Sequence, residues 1–122
     1  MTKSYRKDIQ ILMSILKNQN KILDTIHFFG CSQNDLDKND KAFDLCAFYM
    51  AQIGESSKLL TDGTKESLSC LDVDILRLFR NMIDHTYEKV NKAYLKAYIF
   101  GITSPSAIEE IKDRIRYCKD NA

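Results

Sequence analysis

Five side chains able to do chemistry fall within the eight residues from Arg80 to Tyr87: the guanidinium of Arg80, the amide of Asn81, the carboxylate of Asp84, the imidazole of His85 and the phenol of Tyr87. Arg keeps its charge at any ordinary pH, and its planar fork matches phosphate oxygens. Neutral His takes or gives a proton near pH 7, because its unperturbed pKa is about 6.5. Those two groups suit cleavage of RNA by its own 2′-hydroxyl, which needs a proton moved and a phosphorane charge stabilised. That chemistry requires no metal. Asn81 is placed to orient the imidazole or the scissile nucleotide, while Asp84 has the alternative of pairing with a neighbouring cation on the surface.

Helix geometry sets a condition on this set. Each residue of an ideal helix advances about 100°. Tyr87 therefore returns to nearly the face of Arg80, whereas His85 points well away from both. A working site predicts a helix that ends around Asp84 or His85, letting the imidazole swing back. A purely structural role tolerates a continuous helix.

The elements that must hold these residues are legible as helical stripes. Over residues 4–29, Ile9, Leu12, Ile15, Leu16, Ile22, Leu23, Ile26 and Phe29 form one stripe, with Thr2 or Ser4 available as cap and Gly30 as stop. His27 lies near the end of that helix, where a cation complements the dipole, and is expected to be structural or exposed. Residues 31–38 read as a polar connector. A second helix starts at Asn39 or Asp40 and runs to residue 60, on the seam Phe43, Cys46, Met50, Ile53, Ser57 and Leu60. Gly54 inside it costs up to about 1 kcal/mol relative to Ala, and close approach of a neighbouring helix is the expected return. Asp62-Gly63 is expected to close that segment as a turn, with residues 64–71 a loop or short turn.

Asp72 can cap a third helix carried by Val73, Leu76, Phe79, Met82 and Ile83, which leads into the Arg80–Tyr87 stretch. Asn91 can cap a fourth over residues 92–100, with Ala93, Tyr94, Ala97 and Tyr98 on adjacent faces and Gly101 as stop. The last helix starts at Ser104-Pro105, or through a Ser106-x-x-Glu109 capping box, and is seamed by Ile108, Ile111, Ile115 and Cys118. Strand alternation and repeats are missing. The expected fold is all-α: an antiparallel bundle of four main helices plus a shorter one.

Bulk properties narrow the function classes. A chain of 122 residues is expected to form one domain, residues 1–122. Its net charge of +1 gives no global basic field, so any RNA contact must be local. The cations Lys89, Lys92, Lys96, Lys112, Arg114, Arg116 and Lys119 thicken the C-terminal third; a solvated face is the default account and an RNA-guiding patch the alternative. Cys31, Cys46, Cys70 and Cys118 form no C-x-x-C pair and have no His set beside them, so no metal site is expected, and reduced thiols in a cytoplasmic protein are. The opening Met-Thr-Lys-Ser-Tyr-Arg-Lys has no apolar signal core after it, and no stretch reaches the roughly 18 apolar residues of a membrane span. Neither His27 nor His85 has a Glu three residues before it, which removes the di-iron motif of bundles. Gly-rich phosphate loops, His-Glu-x-x-His and Gly-x-Ser-x-Gly are also missing, and no cofactor is expected.

Two blocks carry a resemblance. Phe79-Arg80-Asn81 with His85-x-Tyr87, and Ile53-Gly54-Glu55-Ser56 on the second helix, resemble the signatures of HEPN-fold ribonucleases, more narrowly the HepT-like toxins of HepT/MntA toxin–antitoxin pairs. Order, spacing and length fit over most of the chain, though only these blocks are specific. Where members of that family often carry Pro-Trp before the motif helix, this chain has Cys70-Leu71-Asp72-Val73. The resemblance implies a HEPN-like bundle and a metal-independent endoribonuclease, with Arg80 and His85 catalytic and Asn81 supporting them. It implies a homodimer whose motif turns face each other across a cleft. It also implies a minimal nucleotidyltransferase antitoxin that adds AMP to Tyr87. The alternative is a non-catalytic helical module of the same superfamily that binds nucleotide or docks a nucleotidyltransferase.

Overall fold

The computed structural model describes residues 2–84 and 91–122. They form six α-helices and one 3-10 turn, and no strand is present among the described residues. The helices are α1 (Thr2–Phe29), α2 (Asp40–Ser57), α3 (Asp62–Ser67), α4 (Val73–Asp84), α5 (Lys92–Ile102) and α6 (Pro105–Asp120). The turn, Leu36–Lys38, lies inside the connector between α1 and α2.

Helix α1 ends where its sequence requires. Gly30 adopts φ +65, which a residue with a Cβ rarely tolerates. The Gly30 N–H donates to the His27 carbonyl and the Cys31 N–H to that of Ile26, each at 3.1 Å, which is the paired closure of a Schellman motif. His27 is exposed in that last turn. Asn39, Asp72, Asn91 and Ser104 cap the helices that follow, their side chains accepting from Ala42, from Asp74 and Ile75, from Tyr94 and from Ala107. Ser104 rather than a Ser106 box thus opens α6, with Pro105 in its first turn.

Helices α1 and α2 run antiparallel. A short connector joins the end of one to the start of the other, and Asp8 near the start of α1 bonds Thr61 just beyond the end of α2. Helix α6 is likewise antiparallel to α1, since Tyr117 near its end meets Tyr5 edge-on at 5.9 Å. Helix α4 packs on α2, and α5 bridges the 3-10 turn, α2 and α6. Leu12, Ile15 and Ile22 of α1, Phe43 and Met50 of α2 and Phe79 of α4 meet in one core, each fully buried. Leu23, placed on the α1 stripe, is instead 37% exposed.

Three local expectations are corrected. Helix α2 stops at Ser57 rather than residue 60, and Asp62-Gly63 opens α3 instead of closing a turn. Part of the segment expected as a loop is therefore helix, which adds a short sixth helix to the five anticipated. The cause is long-range. The buried carboxylate of Asp8 accepts from the Thr61 N–H, the Thr61 hydroxyl and the Thr64 hydroxyl at 3.0, 2.6 and 2.6 Å. Those bonds fix Thr61 as the α3 cap. Arg114 of α6 then donates to the Thr64 hydroxyl at 3.1 Å.

The third correction concerns Gly101, which does not stop α5. The helix continues to Ile102, because Leu95, Ile99 and Ile102 are its buried seam while Ala93, Tyr94 and Ala97 face outward. The buried Gln19 of α1 donates to the Ile102 carbonyl at 2.9 Å, and the Thr103 hydroxyl donates to that of Ile99, so the extra turn has its acceptors satisfied. Among the described residues no helix is long and apolar enough to cross a membrane.

Candidate functional site

A chain of polar contacts fixes where α4 begins and so where Arg80 points. Glu110 of α6 accepts from the Ser69 hydroxyl at 2.6 Å and the Cys70 N–H at 2.9 Å. Burial raises the pKa of this carboxyl, but those hydrogen bonds outweigh it and hold the group below its ordinary value. The Tyr98 phenol donates to the Cys70 carbonyl and accepts from the Asp72 N–H, at 2.8 and 2.7 Å. Burial pushes that phenol up to about 12, so it stays a neutral, double-duty staple. Asp72 then caps α4. The segment that stands where the family pattern has Pro-Trp is therefore anchored by hydrogen bonds from two neighbouring helices.

Three fully or nearly buried residues, Leu76, Phe79 and Met82, press α4 onto the core. Gly54 is what lets α2 receive it. A Cβ built on Gly54 would lie 3.3 Å from the Leu76 Cβ and 3.5 Å from the Leu76 carbonyl oxygen, so the two helices touch backbone to side chain. The close approach expected at Gly54 is thus present, with Leu76 as its partner.

The consequence is that the two motif blocks meet. Next to Gly54, the Glu55 carboxylate lies 2.8 Å from Arg80 Nε and 3.4 Å from Lys58 Nζ. Arg80 and Glu55 are about half exposed, at 48% and 50%. Among the described residues Glu55 is the acidic partner of Arg80, and it meets the guanidinium at Nε. Asn81 follows, exposed, its side-chain amide without a hydrogen-bond partner among the described residues. Asp84, one turn after Arg80, is the last residue of α4 described. His85 and Tyr87 lie outside the described residues, as does Lys89, and so does the requirement that the helix end at His85. The structure brings Arg80 to Glu55; the remaining expected members are not placed against it.

Glu55 was visible in the sequence as part of a block but carried no assigned role. Its spacing gave one clue, since Glu55 and Lys58, like Asp74 and Arg77, are separated by one helical turn. Lys65, which shares a cavity with Lys58, Arg77 and Arg80, had no such signal.

The C-terminal cations mostly have structural duties. Lys96 pairs with Asp37 at 2.9 Å, Lys92 with Asp40 at 3.1 Å, and Arg116 with Glu109 and Asp113. Arg114 lies over the Tyr117 ring as well as on Thr64. These four cations thus have protein partners, and the Lys96–Asp37 pair is mostly shielded from solvent. The four thiols are free, and burial pushes Cys46 and Cys70 up to about 12, which makes both poor nucleophiles. Among the described residues no His, Cys, Asp and Glu cluster is arranged to hold a metal.

Compared with family models, with curated proteins and with solved structures, the chain matches none of them. The family resemblance accordingly rests on the two short blocks and on what the residues around them can do.

Proposed function

We propose that the protein is a HepT-like, metal-independent endoribonuclease toxin with a HEPN-like fold, in which Arg80 stabilises the phosphorane charge and His85 moves the proton. The observation that supports it most is the half-exposed Arg80, which Glu55 of the second motif block meets at Nε. A half-exposed guanidinium paired at Nε has Nη N–H groups suited to donate to two phosphate oxygens. The Gly54-Glu55 block earns a role in this reading, because it positions the catalytic cation.

The reading includes a homodimer with one Arg80 and one His85 from each copy along a shared cleft. Leu45 and Phe48 are exposed at 39% and 45% and follow the same edge of α2 that leads through Gln52 to Glu55, which is the apolar ground such a second copy would cover. Tyr87 is the residue to which a nucleotidyltransferase antitoxin adds AMP; a phosphodiester there would set an anion beside Arg80 in place of the RNA phosphate.

The test is cleavage of RNA by purified protein in the presence of a chelator. Arg80→Ala and His85→Ala are each expected to lose activity, by roughly a hundredfold or more for the His, with 2′,3′-cyclic phosphate ends in the wild-type product. Full cleavage by His85→Ala overturns the mechanism. A second reading, a non-catalytic docking module, is favoured by one observation: Glu55 already gives Arg80 a partner in the absence of RNA. On that reading no preparation cleaves RNA, and Arg80→Ala weakens only the α2–α4 contact.

A further inference from the structure

A cavity of about 110 Å³ opens beside Arg80, between α2, α3 and the first turns of α4. Its inner surface is apolar, made by Gly54, Leu71 and Leu76, with the half-exposed Val73 at its lip. Its rim is cationic, with Lys58, Lys65, Arg77 and Arg80 around it. Among the described residues two carboxylates offset those four charges: Glu55 serves both Lys58 and Arg80, and Asp74 lies 3.6 Å from Arg77 in an exposed pair. Lys65 is half-buried and has no acidic partner among the described residues. A surplus of positive charge thus encircles an apolar hollow.

Neither feature is needed by the fold. A bundle gains nothing from an unfilled apolar space on its flank, and the Lys65 ammonium, with no acidic partner among the described residues, has its charge available for an anion. The first N–H groups of α4 cannot serve a ligand here, since Asp72 already accepts from Asp74 and Ile75. The anion must be bound by side chains. Ser57, which also lines the cavity, donates its hydroxyl proton to the Gly54 carbonyl, leaving the cations to carry recognition.

We propose that this cavity binds a nucleoside phosphate, with the flat base against Leu71, Val73 and Leu76 and the phosphate between Lys65, Arg77 and Arg80. An apolar body joined to a multiply charged anion is what the lining selects; inorganic anions would use only the rim, and neutral aromatics only the floor. The site is defined without reference to RNA cleavage. The nucleoside phosphate is either a free nucleotide or a unit of an RNA strand.

The experiment is titration of the whole protein with adenosine 5′-monophosphate, with adenosine and inorganic phosphate as separate arms. AMP has no phosphodiester to cleave, so binding is read independently of any ribonuclease activity. AMP is expected to bind about tenfold or more tightly than either fragment, in line with charge-assisted bonds added to base burial. Lys65→Ala is expected to weaken AMP about tenfold and leave adenosine unaffected. Val73→Asp, at an exposed position on the lip, is expected to repel AMP to a similar degree while unfolding curves stay unchanged. A short RNA that displaces AMP assigns the site to an RNA unit, and one that does not assigns it to a free nucleotide; either supports the cavity. The proposal is overturned if phosphate alone binds as well as AMP, or if both variants bind AMP like the wild type. RNA cleavage with no AMP binding refutes this site alone, whereas AMP binding with no cleavage refutes the ribonuclease reading alone.

Discussion

Two carboxylates organise opposite kinds of polar cluster in this bundle. Asp8 is fully buried and takes hydrogen bonds from Thr61 and Thr64, binding α1 to α3 and, through Arg114, to α6. Glu55 is half exposed and shared by Lys58 and Arg80 across α2 and α4. Inside the protein a charge must be fully satisfied, so Asp8 has neutral donors fixed around it and nothing left to offer a ligand. At the surface water screens the pair, its net worth falls to about 0–1 kcal/mol, and partners can be exchanged. The same functional group is a lock in one place and an adjustable holder in the other.

Removing the lock should have the largest effect. Asp8→Ala leaves the Thr61 N–H and two hydroxyls without their acceptor, and a loss of about 3 kcal/mol is expected in urea unfolding, since hydrogen bonds to a charged group contribute about 1.5–3 kcal/mol each and the hydroxyls can partly re-pair. Helix α3 should fray with it, seen as faster amide exchange at residues 64–67. A loss below about 0.5 kcal/mol would show that burial alone does not distinguish the two clusters.

Next comes the contact beneath the holder. Gly54→Val places branched carbons against Leu76, where even the first carbon is 3.3 Å from its neighbour, and should cost about 1–3 kcal/mol. Gly54→Ala should be near neutral, because better helix propensity of up to about 1 kcal/mol is offset by that tight contact. A stabilising Gly54→Val would mean that α2 and α4 are free to separate, and that Arg80 is not held in one place.

These elements were not equally legible. Caps at Asn39, Asp72, Asn91 and Ser104, and the stop at Gly30, depend on bonds between residues at most five apart, so their residue types announce them. Gly54 was readable as a close approach, although its partner Leu76 was not. Helix α3 was missed because its cap depends on Asp8, 53 residues away from Thr61. Gly101 misled because the core value of Ile102, one residue later, outweighs a local preference. In the candidate site, Arg80 and Glu55 sat in separately read blocks, and only packing at Gly54 joins them. His85 and Tyr87 remain sequence assignments, outside the described residues.

An intermediate case tests whether exposure really sets the behaviour. Lys96 and Asp37 join α5 to the 3-10 turn at 2.9 Å, with side chains 17% and 18% exposed, between the two extremes. The hydrogen bond from Lys96 lowers the Asp37 pKa, despite burial acting the other way. A carboxyl depressed on folding contributes stability that is present above its unfolded pKa of about 3.9 and is lost as pH falls through the folded value. The unfolding midpoint should therefore drop between about pH 4 and more acid conditions, and Lys96→Met should flatten that part of the drop due to Asp37. An identical acid limb in the variant would assign the pair to the weak, screened class with Glu55.

The smallest effect on stability, and the sharpest test of the comparison, is expected from Glu55→Gln. The amide keeps the size of the side chain and an oxygen for Arg80, but removes the charge shared with Lys58. As an exposed pair it should change unfolding free energy by no more than about 0.5 kcal/mol. Its effect on binding should run the other way. Four cations would then face one carboxylate, Asp74, so AMP should bind about two- to threefold more tightly at low salt, with the gain fading at about 0.5 M salt as the charges are screened. Arg80, no longer held at Nε by a charge, should also become less fixed, so any RNA cleavage should fall even as binding strengthens. That opposite movement is what a holder predicts and a lock does not. If Glu55→Gln instead costs more than about 1 kcal/mol, beyond what an exposed pair contributes, then Glu55 fastens α2 to α4 as Asp8 fastens α1 to α3. Arg80 would then be part of the frame and not free to meet a phosphate.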